Sequence, residues 1–165
     1  MRYFNSALRI AIIALCPFYG LAAQAEAFTG RVVSIADSDT LTVLTASKQQ
    51  HKIRLAEIDA PEKNQSFGTK SKQSLSDLCF GKEAEVHPRA KDRYKRTVAR
   101  VTCAGIDANA EQVERGMAWV YSRYAKDNDL YVLEQGARMG KRGLWEDSRL
   151  LHLGNGARNS NVWMI

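Results

Sequence analysis

Four acidic residues lie in two short polar segments of the sequence: Asp37 and Asp39, then Asp59 and Glu62. Carboxylates that are brought close together repel one another unless a cation lies between them. Their hard oxygen atoms favour calcium or magnesium over zinc or copper. The same residue types are also common in turns, and Asp-Ala-Pro-Glu can simply end a strand and begin a helix. These segments alone therefore leave open both a metal site and a structural turn.

Two arginines lie close to these acidic segments. Arg54 comes five residues before Asp59, and Arg96 follows the charged run 92–95. A guanidinium group can form paired hydrogen bonds with phosphate oxygens and keeps its charge when water is excluded. A cation and two arginines would stabilise the negative charge that develops when water attacks a phosphodiester. A single arginine is more often solvated or paired with an acid, so only the combination predicts phosphodiester chemistry.

Alternating apolar and polar residues predict the strands that must position these groups. From residue 28 to residue 58 the pattern is that of three β-strands joined by polar turns at 36–39 and 47–50. Because side chains alternate across a strand, Arg54 is expected to face away from the side that buries its two apolar neighbours. The first turn and the end of the third strand would then bring the acidic residues to one end of the sheet.

The rest of the chain predicts further helices and strands. Pro61 ends the third strand, and Gly81 ends the helix predicted over 65–79. Four residues share one face of that helix: Phe67, Ser71, Leu75 and Leu78. The later predictions are strands over 84–88 and 97–103 with a charged loop 89–96 between them, helices over 107–113 and 129–139, and a packing role for Trp145. Five short strands with a helix after the third predict an α+β, mainly β fold, namely a five-stranded OB-type barrel with about three helices.

The two ends of the chain differ from this central region. Residues 1–25 combine Arg2 and Arg9 with a short apolar run and small residues, which is typical of a cleaved signal peptide. We expect cleavage after Ala25 or Ala27 and export to the periplasm or the medium. Residues 26–147 would then form the folded domain, with 148–165 as a loosely held tail. A membrane anchor is the alternative, although the apolar run is short for a membrane span.

Composition bears on the redox state and on the partner. Cleavage after residue 25 removes one of three cysteines and two positive charges, so the net charge falls from +6 to +4. The remaining pair, Cys79 and Cys103, favours a disulfide over two free thiols in an oxidising compartment. The mild basic excess suits a polyanionic partner without proving one. No feature indicates a stable protein partner, and we expect a monomer.

Several motifs in the sequence resemble those of the staphylococcal nuclease (thermonuclease) family. The matching segments are Ile35–Thr40, Ile53–Glu62 and Asp92–Arg96, followed by Gly116-Met117-Ala118 and Gly143-Leu144-Trp145. Together they run from residue 28 to residue 145, nearly the whole predicted mature chain. Their combined order and spacing are far more specific than any one motif. The resemblance implies an OB barrel and calcium-dependent hydrolysis of single- or double-stranded DNA and RNA.

The resemblance also implies a role for each matching residue. Asp39, Asp59 and the backbone carbonyl of Ala60 would bind calcium, and Asp37 would support the site from just outside. Glu62 would act as the general base on the attacking water. Arg54 and Arg96 would hold the phosphate and stabilise the transition state. Four further positions would contact the nucleotide: Arg93, Tyr94, Tyr121 and Tyr124. The tyrosines can equally be core residues.

The sequence departs from the family pattern without losing a charged catalytic group. Ser38 and Lys95 stand where glycines are usual, and Ala60 replaces a threonine. The connection from Asp59 to Asp92 is also shorter than usual, so a loop on the substrate side is expected to be trimmed. Two other functions remain to be weighed. A non-catalytic OB-fold nucleic-acid-binding module needs the barrel but not the acidic cluster, and an exported scaffold for another protein does not explain the two arginines.

Overall fold

A computed structural model of the chain describes residues 26–146. The elements, in chain order, are β1 (Phe28–Asp37), β2 (Thr40–Leu44), β3 (Gln50–Leu55), β4 (Ile58–Asp59), α1 (Gly68–Cys79), β5 (Glu83–Lys91), β6 (Thr97–Cys103), β7 (Ile106–Asp107), α2 (Ala108–Glu114), β8 (Trp119–Val120), α3 (Asn128–Met139) and a final 3-10 turn (Gly143–Trp145). The predicted signal peptide and tail lie outside the described residues. No helix between residues 26 and 146 is long and apolar enough to cross a membrane.

Five strands close into a barrel. Their order is β3-β2-β1-β5-β6, in which neighbours run antiparallel, and a parallel pairing of β3 with β6 closes the ring. In that pairing Arg54 lies opposite Val98. Two-residue strands β4 and β8 form a separate small sheet, and β7 extends the edge of β6. The predicted five-stranded OB-type barrel with three helices is confirmed.

The barrel interior follows from the alternation in the sequence. Inward-facing residues are almost completely buried, among them Val32, Leu41, Val43, Ile53, Leu55, Val86, Ala99 and Val101. Between two of them Arg54 is only partly buried and faces the other way, as its position in the strand predicts. The helices α1 and α2 cover the barrel, and buried Leu75 and Val113 extend the same core. The residues of the candidate site are therefore held on the outer surface of a well-packed barrel.

The first helix begins later than predicted. It starts at Gly68 instead of residue 65, because Phe67 has a left-handed backbone (φ 65°) and residues 62–65 form a turn. Phe67 therefore does not share the buried face of α1 with Ser71, Leu75 and Leu78. It packs instead on a small second cluster that contains Trp145, which is 4% exposed. The expected packing role of Trp145 is confirmed.

The charged loop predicted over residues 89–96 is shorter than expected. Strand β5 continues to Lys91, and the turn between β5 and β6 occupies only residues 92–96. The register of β5 against β6 shifts between Pro88 and Ala90, so Arg89 sits in a β-bulge. A bulge bends the strand and redirects side chains. Basic residues that were assigned to a loose loop therefore lie on a fixed hairpin.

A disulfide ties α1 to the barrel. Cys79 is the last residue of α1 and Cys103 is the last residue of β6, and their Cα atoms are 5.2 Å apart. Both side chains are fully buried. The covalent bond closes a loop with a sequence separation of 24 residues, which contains β5 and most of β6. Such a constraint stabilises a fold mainly by restricting the unfolded chain.

Replacing both cysteines by alanine is expected to lower the free energy of unfolding by about 3 kcal/mol, as the loop length implies. Urea unfolding of the wild type and of Cys79→Ala/Cys103→Ala measures the difference. Adding reductant serves as the control, because it should destabilise only the wild type. An equal effect of reductant on both proteins would show that the disulfide is not the cause.

Candidate active site

The acidic residues meet at one end of the barrel. The β1–β2 turn carries Asp37 and Asp39, while Asp59 ends β4 and Glu62 follows in the next turn. One nitrogen of Arg54, Nη2, bridges two of these carboxylates, at 2.9 Å from Asp39 Oδ2 and 2.8 Å from Asp59 Oδ1. The sequence predicted this gathering of carboxylates. Arg54 is thus positioned to neutralise part of their charge.

Crowding and burial raise the pKa of Asp59 to about 6. Burial is the largest cause, because removal of water disfavours the charged form, and the neighbouring Asp39 raises the pKa further. The charge and hydrogen bond of Arg54 and the backbone N–H of Ala60 act in the opposite direction. Arg54 therefore offsets only part of the rise that burial and Asp39 cause in the pKa of Asp59.

The pKa of Glu62 is also raised by its neighbours. A hydrogen bond with Asp37 is the main cause that raises its pKa to about 7, and burial and the charges of Asp37, Asp39 and Asp59 add to the effect. Two carboxyl groups that share a proton cannot both ionise easily. A carboxylate whose pKa lies close to neutrality is suited to accept a proton in catalysis.

This cluster fits the chemistry of a hard cation. Across residues 26–146, no three His, Cys, Asp or Glu side chains already converge in a metal-binding arrangement. Nevertheless, Arg54 Nη2 places a positive charge between Asp39 and Asp59 at 2.8–2.9 Å, as a stand-in cation. Calcium is bound in proteins by carboxylate and backbone carbonyl oxygens, which are the donor types of Asp39, Asp59 and Ala60. The all-oxygen donors also favour calcium or magnesium over softer metals.

The backbone of Glu62 is fixed by the turn that follows it. Its N–H donates to Gln65 Oε1, and its carbonyl accepts from the N–H of Gln65, both at 2.8 Å. Gly68 packs directly against this turn, and a Cβ atom there would lie 2.0 Å from the Glu62 carbonyl oxygen. Glycine is therefore required at the start of α1. These contacts position Glu62 before any substrate binds.

A buried polar network holds the turn that carries Asp37 and Asp39. Ser38, which stands where the family usually has glycine, is 1% exposed and donates to the Gly68 carbonyl. Gln112 of α2 is fully buried, donates to the carbonyls of Ser38 and Ser71, and accepts from the Ser74 hydroxyl. Removing one partner would leave buried polar groups unsatisfied, at about 1–3 kcal/mol each. Ser38 therefore secures the turn to α1 and α2.

Arg96 is linked to the acidic cluster through Thr40. Its Nη1 donates to Thr40 Oγ1 at 3.2 Å, and that hydroxyl donates to Asp39 Oδ1 at 2.8 Å. The Nε of Arg96 also donates to Asp92 Oδ2 at 2.7 Å. Asp92 fixes the hairpin turn, since its other oxygen accepts from the N–H groups of Tyr94 and Arg96. Lys95 adopts the left-handed backbone (φ 63°) that a glycine would adopt without strain.

The two arginines line the same groove, which has a volume of about 1100 Å³. The nucleotide-contacting positions implied by the resemblance line it as well: Arg93, Tyr94, Tyr121 and Tyr124. Tyr94 and Tyr124 are 64% and 56% exposed, so they are surface residues and not core residues. Tyr121 is partly buried, and the Arg54 guanidinium lies 5.9 Å from the centre of its ring. Their contact with a nucleotide stays a prediction.

An arginine that the sequence pattern does not single out holds two carboxylates of the groove lining, Glu57 and Asp127. Arg100 of β6 is paired with Asp107 at 2.5 Å, with Asp127 at 2.8 Å and, more distantly, with Glu57 at 3.7 Å. The two aspartates cap the N-termini of α2 and α3. Outward-facing positions of β6 alternate with its core residues, so the pattern marks Arg100 as non-core but does not reveal its partners.

An OB-type barrel with two arginines in one groove and an acidic cluster beside one of them carries groups that are suited to bind phosphate. Comparison with known proteins is more specific. The family model described as "Staphylococcal nuclease homologue" matches residues 52–147. The chain therefore belongs to the staphylococcal nuclease family.

Bacterial relatives match over most of their length. A Haemophilus influenzae protein called an uncharacterized endonuclease is 43% identical over 143 residues, which cover 87% of this chain and 80% of the relative. The micrococcal nuclease of Shigella flexneri is 40% identical over 159 residues, which cover 89% and 90%. An uncharacterized endonuclease of Escherichia coli O157:H7 is 42% identical over 120 residues, which cover 72% and 78%.

The raised pKa of Glu62 predicts how the stability of the metal-free protein, kept so by chelator, depends on pH. The fold binds the Glu62 proton more tightly than the unfolded chain does, so ionisation of Glu62 destabilises the fold. As the pH rises from the ordinary pKa of 4.5 to about 7, the wild type should lose stability relative to Glu62→Gln, which cannot ionise. Urea unfolding across this range measures the difference. The exposed Glu83→Gln is the control, and a parallel pH profile for Glu62→Gln and wild type would contradict the assignment.

Proposed function

We propose that this chain is an exported, calcium-dependent endonuclease that hydrolyses phosphodiester bonds of DNA and RNA. The observation that carries the proposal is that Arg54, which lines the groove, contacts both Asp39 and Asp59, while Arg96 in the same groove is linked to Asp39 through Thr40. Glu62 lies beside this cluster, where it is hydrogen-bonded with Asp37. Membership of the staphylococcal nuclease family and relatives named as endonucleases support it. Export is supported by the N-terminal sequence pattern and by the disulfide, which is typical of exported proteins.

The proposed metal ligands are Asp39, Asp59 and the backbone carbonyl of Ala60. Bound calcium would attract the phosphate oxygens and stabilise the negative charge that develops on them. Asp37 stays outside this set, where its hydrogen bond to Glu62 sets the proton affinity of that carboxyl group. Its other contact, from the Ser38 N–H at 2.9 Å, keeps the carboxylate of Asp37 in place.

In the proposed reaction Glu62 takes a proton from a water molecule as the water oxygen bonds to phosphorus. The bond from phosphorus to one sugar oxygen breaks as the new bond forms, and the leaving oxygen takes a proton from solvent water. A pKa near 7 allows Glu62 to accept the proton near neutral pH and to release it afterwards. The two hydrogen bonds with Gln65 fix the backbone that carries this carboxylate.

Arg54 and Arg96 stabilise the phosphate during this step. The Nη2 of Arg54 contacts carboxylates, Arg54 also lines the groove, and a guanidinium group has further N–H donors that can bind phosphate. Asp92 and Thr40 orient Arg96 from behind. Donors that are fixed before the reaction stabilise developing charge without reorganisation in the transition state.

Cleavage of single-stranded DNA by the purified mature chain tests the calcium assignment. We expect cleavage with calcium and none in excess chelator. Calcium should also raise the thermal midpoint, since a ligand at 100 times its Kd stabilises a fold by about 2.7 kcal/mol. Asp39→Asn/Asp59→Asn should lose both effects, while Glu83→Gln keeps them. Undiminished cleavage in chelator would overturn the assignment.

Single substitutions test the assigned roles in the reaction. Arg54→Ala and Arg96→Ala should each lower kcat at least about a hundredfold, because such donors act mainly on the transition state. Glu62→Gln removes the proton acceptor and should also lower kcat. Arg31→Ala, which removes an exposed arginine outside the groove, is the matched control. Full activity of a site variant would remove that residue from the mechanism, and no nucleic-acid cleavage by wild type would favour a binding module.

A further inference from the structure

The groove continues beyond the proposed reaction centre. Its far end is lined by Arg89, Arg123 and Lys126, which we call the distal basic end. All three residues are exposed. We propose that the distal basic end binds phosphate groups of the same nucleic-acid strand, beyond the phosphate at the bond that is cut, and that the strand is single. This inference rests on the proposed function.

Charge at this end is available to a ligand. The acidic residues that line the groove are already engaged: Asp92 with Arg96, Asp127 with Arg100, and Glu57 with the N–H groups of residues 126 and 127. Within residues 26–146, no carboxylate lies within ion-pair distance of the side chains of the distal basic end. The cations are therefore not neutralised by pairing within the described domain.

The three residues come from two elements that meet at Asp127. Lys126 directly precedes Asp127. The pKa of the Asp127 carboxyl is lowered mainly by a hydrogen bond from the backbone N–H of Asp129, then by Arg100, and to a smaller extent by the charge of Arg89. Arg89 is therefore close to the loop that carries Lys126. The guanidinium of Arg123 lies 5.6 Å from the centre of the Tyr124 ring, at the same side of the groove.

The spacing suits successive phosphates of one strand. Arg89 comes three positions before Asp92, the partner of Arg96, along the end of β5. Extended chain rises by about 3.3 Å per residue, so the two arginines are anchored about 10 Å apart. Neighbouring phosphates of an unstacked single strand lie farther apart than the rise of about 3.4 Å per stacked nucleotide, so this distance suits phosphates about one or two nucleotide steps apart.

The distal basic end is fixed in place. Arg100 holds Asp127, and Glu57 Oε1 accepts from the N–H of Lys126 at 2.7 Å. Glu57 adopts a left-handed backbone (φ 64°), which these contacts hold in place. On the other side, Arg89 lies in the β5 bulge. A surface that is ordered beforehand loses less entropy on binding.

The tyrosines between the two ends favour a single strand over a duplex. Tyr94 and Tyr124 line the groove with more than half of their surface exposed. Base stacking on such aromatic rings is worth about 1–3 kcal/mol per base, and the base faces are accessible only when they are not stacked in a duplex. Basic residues at both ends and aromatic residues between them are the combination that single-stranded nucleic acid requires.

A binding experiment tests the inference without depending on cleavage. Each protein is the mature chain with Glu62→Gln, and the probe is a fluorescent 12-nucleotide single-stranded DNA followed by anisotropy in calcium. Arg89→Ala/Lys126→Ala is compared with Arg31→Ala/Lys52→Ala, which removes the same charge from exposed positions outside the groove. We expect the first pair to weaken binding about tenfold or more. Loss of two phosphate contacts should also reduce the slope of log affinity against log salt by about 1.4.

Two further probes decide what the distal basic end recognises. A dinucleotide is too short to span the groove, so its affinity should differ little between the two double variants. The inference would be overturned if both double variants bound the 12-nucleotide strand equally well. It would also be overturned if Arg89→Ala/Lys126→Ala weakened dinucleotide binding as much as it weakens binding of the 12-nucleotide strand. If Arg89→Ala/Lys126→Ala weakened binding of a 12-base-pair duplex as much as binding of the 12-nucleotide single strand, the preference for a single strand would be overturned. If wild type cuts no nucleic acid while the binding results hold, only the proposed nuclease function fails.

Discussion

The parallel pairing of β3 with β6 is the constraint on which the rest of the structure depends. This pairing closes the sheet into a barrel, and it brings Arg54 and the start of β6 to the same place. A shift of one residue in the register would turn Arg54 into the core and two apolar neighbours out to solvent. The burial of Ile53 and Leu55 therefore determines where the arginine faces. Packing of the core and assembly of the site are two results of one register.

At the end of the barrel, opposing charges and buried hydrogen bonds hold the acidic cluster together. The carboxylates of Asp39 and Asp59 are held together against their repulsion by one nitrogen of Arg54. Buried hydrogen bonds from Ser38 and Gln112 supply part of the rigidity that such a crowded cluster needs. The family's usual glycine at position 38 would form no such side-chain bond. The turn is therefore secured here by a buried polar network.

Sequence patterns predicted the barrel and the site residues because both have local signatures. Alternation gave the five strands, and the motif around Asp59 indicated the acidic cluster. Long-range polar partners have no such signature: Gln112 reaches a carbonyl 74 residues away, and Arg100 joins three carboxylates from different segments. The late start of α1 depends on the left-handed Phe67, which helix periodicity cannot reveal.

The disulfide between Cys79 and Cys103 also determines what happens when a protease cuts the chain between them. The hairpin turn at residues 92–95 projects exposed side chains, including Tyr94, and exposed loops are where proteases cut. This turn lies inside the covalent loop that the disulfide closes. A protease that cuts there releases no fragment, because both pieces remain joined through sulfur and through the ladder of β5 and β6. The nicked chain stays a single molecule with its barrel strands in place.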